Sequence, residues 1–126
     1  MLALFLWINA IAYAGLSLLC VVRLRATAAS LGYTSLGSGG VSEFATVYGG
    51  LQLGLALFFA VCAMNPAMQR NGLVFALCLY VPLAVFRTIS LLATGGSGVT
   101  WSVFALEVTL MLVTVALWFA DRPNAV

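Results

Sequence analysis

The chain alternates long, unbroken apolar runs with short, polar, glycine-rich gaps. Four runs stand out, at residues 2–22, 45–64, 73–92 and 101–120. A hydrocarbon layer ~30 Å thick takes ~20 residues of α-helix to cross, and each run has about that length. A helix packed in a water-soluble bundle carries polar residues over a wide face. These runs are apolar on every face, so the pattern predicts helices surrounded by lipid. The expected fold class is all-α, an integral membrane four-helix bundle forming one membrane domain over residues 1–126.

The gaps predict how the helices begin and end. Arg23 and Arg25 stop the first run, and residues 26–42, with Gly32, Gly37, Gly39 and Gly40, form the one sizeable loop. Its first part, Arg23 to Leu31, reads as a short interfacial helix and its glycine-rich second part as irregular. Ser42 is the expected N-cap of the second span, which puts Glu43 in a first turn whose dipole favours an anion. Asn65-Pro66 and Asn71-Gly72 bracket a hairpin loop carrying Arg70. Gly95-Gly96-Ser97-Gly98 makes the last loop, with Thr100 expected to cap the fourth helix. Trp101 and Trp118 mark that helix's two ends, as interfacial aromatic residues do, and Asp121-Arg122-Pro123 closes it.

Composition narrows the chemistry. The chain is 64% hydrophobic and 6% charged, with a net charge of +2 and neither Lys nor His. No basic patch exists, so nucleic acid is excluded as a partner. The absence of His removes the commonest metal ligand and the usual general base near neutral pH, and no metal or cofactor is expected. Cys20, Cys62 and Cys78 all fall in apolar runs without a C-x-x-C pair, which argues against thiol-redox chemistry. They read as small apolar residues, with Cys62 and Cys78 near one membrane face. Ala12-Tyr13-Ala14 has the form of a signal-peptide cleavage site. No basic residue precedes it and the apolar run continues to Val22, so the first run is expected to be a retained helix. Arg70 and Arg122 fall on the face of the termini, Arg23 and Arg25 on the other. That near balance leans only slightly to cytoplasmic termini.

Two charges lie inside the runs, Arg87 in the third and Glu107 in the fourth. A charge at the centre of a spanning helix costs roughly 2.5–3.5 kcal/mol on insertion scales, and such residues turn to a protein interior or a wet cavity. At ~1.5 Å per residue, Arg87 lies roughly 10 Å and Glu107 roughly 9 Å from the last loop. Helices joined by so short a loop are antiparallel neighbours, so the two charges reach one level and are expected to pair. The other reading has Arg87 snorkelling to the headgroups beside a neutral Glu107. Arg87 shares a face with Tyr80, Ser90 and Thr94; Glu107 shares one with Thr100, Met111 and Thr114. Pro82 is expected to bend the third helix about a turn before Arg87.

The second run adds Tyr48 and Gln52, one turn apart, beside Gly49 and a Gly50-x-x-x-Gly54 pattern that permits close helix approach. Asn9, Tyr13, Ser17 and Cys20 form a stripe on the first, explained by hydrogen bonding between helices. Glu43, Tyr48, Gln52, Arg87 and Glu107 are together the candidate site, a ligand-binding or structural polar cluster toward the two glycine-rich loops. Two carboxylates around one Arg suit a cation, a proton or a polar headgroup with donors.

The string from Glu43 through Tyr48-Gly49-Gly50-Leu51-Gln52-Leu53-Gly54 to Phe58, followed by an intramembrane Arg and then Glu, resembles an uncharacterised bacterial family of small four-helix membrane proteins, domain of unknown function 4345. The general layout is more loosely similar to DoxX-like membrane proteins. This resemblance spans Glu43 to Trp118 and implies the architecture and an inner (plasma) membrane location. It implies no activity.

Three functions compete. The first is a non-enzymatic accessory or small-ligand-binding membrane protein, with the lipid bilayer as its surroundings, an unknown ligand, and a homo-oligomer allowed. The second is a small homodimeric proton-coupled transporter, against which stands the expected pairing of Glu107, since a salt-bridged carboxylate is a poor proton carrier. The third is a membrane enzyme acting on lipid or quinone, for which the chain offers no nucleophile–base pair.

Overall fold

The computed structural model describes residues 1–121, and within them every regular element is helical. Helix α1 spans Leu2–Val22 and the short α2 spans Leu24–Ser30. Helix α3, Ser38–Phe44, passes through a wide π-helical segment, Ala45–Leu51, into α4, Gln52–Met64. A single 3-10 turn, Pro66–Met68, leads into α5, Gln69–Thr94, and α6 follows at Gly98–Ala120. Four continuous stretches, Leu2–Val22, Ser38–Met64, Pro66–Thr94 and Gly98–Ala120, are long and apolar enough to cross a membrane.

Those stretches contain the predicted runs, but their ends differ. The second span starts at Ser38, so Gly39 and Gly40 are helical, while residues 31–37 are irregular as expected. Gly37 is its N-cap, with extended backbone (ψ 176°), which places Ser42 and Glu43 inside the helix instead of at its first turn. The hairpin after α4 is also tighter than predicted. The Asn65 side chain accepts the Ala67 N–H at 3.1 Å, and Asn71 and Gly72 already lie in α5. Ser97, not Thr100, caps α6: its hydroxyl oxygen accepts the Thr100 N–H at 3.3 Å. The predicted interfacial helix before Leu31 is present as α2. Arg122 lies outside the described residues.

The chain divides into two compact units, Met1–Gln69 and Arg70–Val126. In the first, α1 packs along the π-helical segment and α4. Ser17 donates to the Gly49 carbonyl at 2.8 Å, and that carbonyl also takes the Gln52 N–H. Gly49 is needed there, because a Cβ would stand 2.6 Å from Val21 Cγ2. At Gly50 and Gly54 a Cβ would meet nothing within 4 Å among the described residues, so the small-residue pattern packs through Gly49 rather than through that pair. The Tyr13 ring stacks on Phe59 at 5.9 Å. Near the end of α1, buried Cys20, Ala28 and Phe44 form a cluster with Leu24, Leu36 and Tyr48 packed against it.

In the second unit, α5 runs unbroken through Pro82 and α6 follows after a three-residue turn. Gly95 holds φ 71°, a left-handed conformation suited to glycine, and its N–H closes α5 on the Leu91 carbonyl at 2.9 Å. Arg70, at the start of α5, lies over the Trp118 ring at 5.0 Å and donates to the Asp121 carbonyl at 3.3 Å. Arg70 thus ties the start of α5 to the end of α6 by two contacts.

Between 11% and 33% of each span is buried, so most of this apolar surface faces outward. Leu4, Ile11, Leu18, Phe86, Leu92 and Leu112 are among the exposed large side chains. Exposed apolar area on this scale marks a surface meant for lipid or protein rather than water.

Candidate functional site

The two charges predicted to pair do pair. Arg87 Nε donates to Glu107 Oε2 at 2.6 Å and Nη2 donates to Oε1 at 2.7 Å. This fork-to-fork arrangement is the strong, directional form of an Arg–carboxylate contact. Glu107 is buried, its side chain 11% exposed, while that of Arg87 is 32% exposed. The geometry follows from the hairpin. Arg87 lies seven residues before the end of α5 and Glu107 nine after the start of α6, so antiparallel helices of equal rise bring the two to a similar level. Both carboxylate oxygens are engaged, and the pair is electrically neutral as a whole.

The hydroxyls around it are satisfied within their own helices. Thr88 donates to the Ala84 carbonyl at 2.7 Å, Thr94 to Ser90 at 2.9 Å, Thr109 to Ala105 at 2.8 Å and Thr114 to Leu110 at 2.6 Å. Each is a bond back to the i−4 carbonyl. A hydroxyl so bonded is satisfied without any ligand. The polar stripes predicted on α5 and α6 are thus partly self-contained.

The other three candidates belong to the first unit and are placed there individually. Tyr48 is half-buried, its ring stacked on Phe44 at 4.4 Å. Gln52, one turn on, is half-buried, and its Oε1 is shielded and accepts no hydrogen bond among the described residues. Glu43 is exposed and makes no hydrogen bond or ion pair among them. On α1, Ser17 makes the predicted bond between helices, and Asn9 donates to the Phe5 carbonyl at 2.7 Å. The three thiols are free; Cys20 and Cys62 are buried and Cys78 is exposed.

Two features escaped the sequence reading. The π-helical segment has no compositional signature beyond its Gly49-Gly50 pair, and wide turns of this kind often accompany functional positions. A small polar cavity also lies beside α2, where Arg25, Thr34 and Ser35 meet. The only hint was an Arg close to a hydroxyl-rich loop. Among the described residues no group of three or more His, Cys, Asp and Glu is placed to hold a metal ion. No protein-family model, no curated protein and no solved structure matches the chain. What the fold and site define is an all-helical chain with four membrane-length helices and a bidentate ion pair between the last two.

Proposed function

We propose that this chain is a multi-pass integral membrane protein with a non-enzymatic role, an accessory or small-ligand-binding protein whose Arg87–Glu107 pair is a fixed element of the hydrocarbon layer. The observation that carries this reading is the two-bond geometry of the pair, 2.6 and 2.7 Å, with Glu107 buried. A proton-coupled exchanger needs a carboxylate that alternates between a proton and its cargo. Glu107 has both oxygens committed to a guanidinium, and releasing them would strand two charges in a low-dielectric region. A pair so arranged holds α5 against α6 and lets two polar side chains enter the membrane without net charge. The resemblance to small bacterial four-helix membrane proteins, and with it an inner-membrane location, belongs to the same proposal.

Reconstitution tests it. Proteoliposomes carrying the protein and a pH-sensitive dye inside should show no more proton flux than empty vesicles. Glu107→Gln, which removes the charge and keeps the shape, should lower thermal stability and leave that flux unchanged. Proton flux in the native protein that disappears in Glu107→Gln would replace this reading with the transporter.

A further inference from the structure

Just past the end of α1 the chain turns into α2 and then into the non-helical residues 31–37, leaving a cavity of about 90 Å³ between them. Arg25, Tyr33, Thr34, Ser35 and Leu36 line it, and no carboxylate does. Among the described residues Arg25 has no ion pair or hydrogen bond, and the Thr34 and Ser35 hydroxyls likewise have no partner. The N–H groups of Thr34 and Ser35 find no backbone acceptor. The walls therefore offer a planar guanidinium, hydroxyls and backbone donors around one small space, on side chains that are themselves exposed. Water occupies about 30 Å³ per molecule in the liquid, so the cavity has room for a tetrahedral oxyanion.

We propose that this cavity binds a phosphate group, and that its surroundings suit the headgroup phosphate of a membrane lipid. Arg forks match phosphate oxygens two at a time. The apolar α1 ends at Val22, three residues before Arg25, which sets the cavity at headgroup level if α1 crosses a membrane. Leu31 and Tyr33 are exposed next to it, and a Tyr at this depth is a common interfacial residue. A wider open hollow of about 420 Å³, lined by Val21, Val22, Arg23, Leu24 and Ala26, adjoins the cavity through Arg25. A lipid would seat its phosphate on Arg25, Thr34 and Ser35 and run its chains beside Val21 and Val22. The phosphate site stands on the first unit alone; only the choice of a lipid as its source rests on the membrane reading.

The test uses the full chain purified in detergent and offered phosphatidylglycerol, diacylglycerol with the same chains, or inorganic phosphate. Retention by native mass spectrometry and thermal shift are the readouts. Phosphatidylglycerol should be retained and diacylglycerol should not. Arg25→Gln should weaken retention roughly tenfold or more, as for a lost charge-assisted hydrogen bond. Arg23→Gln, a charge removed at the same level but outside the smaller cavity, should weaken it only about fivefold. Thr34→Val with Ser35→Ala should also weaken it while every charge remains, and circular dichroism verifies the fold of each variant. If inorganic phosphate alone raises the melting temperature and Arg25→Gln abolishes the rise, the site stands with free phosphate as its ligand. Equal losses for Arg23→Gln and Arg25→Gln, equal retention of diacylglycerol, or no binding of either phosphate source would overturn the proposal.

Discussion

Ser17 and Gly49 set how closely α1 approaches the second span, one by a hydroxyl and the other by lacking a side chain. The Ser17 bond to the Gly49 carbonyl is 2.8 Å long, and the space over Gly49 Cα is taken by Val21. Val21 is β-branched and stiff about χ1 in a helix, so it yields to an added methyl only by leaving its preferred rotamer or by moving the helix. Gly49→Ala should therefore destabilise the protein by about 1–3 kcal/mol, the usual cost of overpacking. Ser17→Ala should cost less, about 0.6 kcal/mol, the mean for such bonds in membrane helices. Unfolding in mixed micelles compares the two, and a Gly49→Ala variant as stable as the native chain would show that the helices do not meet there.

The helices themselves were largely legible, because an apolar run of bilayer length announces itself whatever surrounds it. Their ends were less so. Ser38-Gly39-Gly40-Val41 has poor intrinsic helix propensity, yet it is helical because Phe44, one turn on, is held in the cluster with Cys20 and Ala28. Tertiary anchoring of that kind leaves no local trace. At α6 two hydroxyl residues lay three apart, and sequence alone gave no reason to prefer Ser97 over Thr100. The structure separates them: Ser97→Ala removes the cap and should cost about 1 kcal/mol. Thr100→Ala leaves the Ser97–Thr100 N–H bond intact and should stay within about 0.5 kcal/mol of the native value. Equal losses in thermal unfolding would return the cap to Thr100. The ion pair was legible because two costly charges fell at one depth on helices joined by a short turn. The i−4 bonds of Thr88, Thr94, Thr109 and Thr114 were not, since a hydroxyl on a helix face can bond backward or across with the same sequence.

For the molecule as a whole, the proposed membrane reading makes the four membrane-length helices four crossings. Single cysteines introduced at Ser35 and Gly98 should then react with an impermeant thiol reagent from one side of the membrane and one at Met68 from the other. The three native thiols lie within the membrane-length helices and form the background. Labelling of all three sites from a single side would exclude this topology. Arg87 and Glu107 are expected to act as one neutral unit between α5 and α6. A double-mutant cycle in bilayers measures it directly. Arg87→Leu and Glu107→Leu should each cost about 3 kcal/mol, the low end for breaking a buried pair because Arg87 keeps a third of its surface exposed. The double variant, with no stranded charge, should lose much less than the sum of the two. Strictly additive losses would contradict the account, because they would mean that the two side chains do not depend on each other.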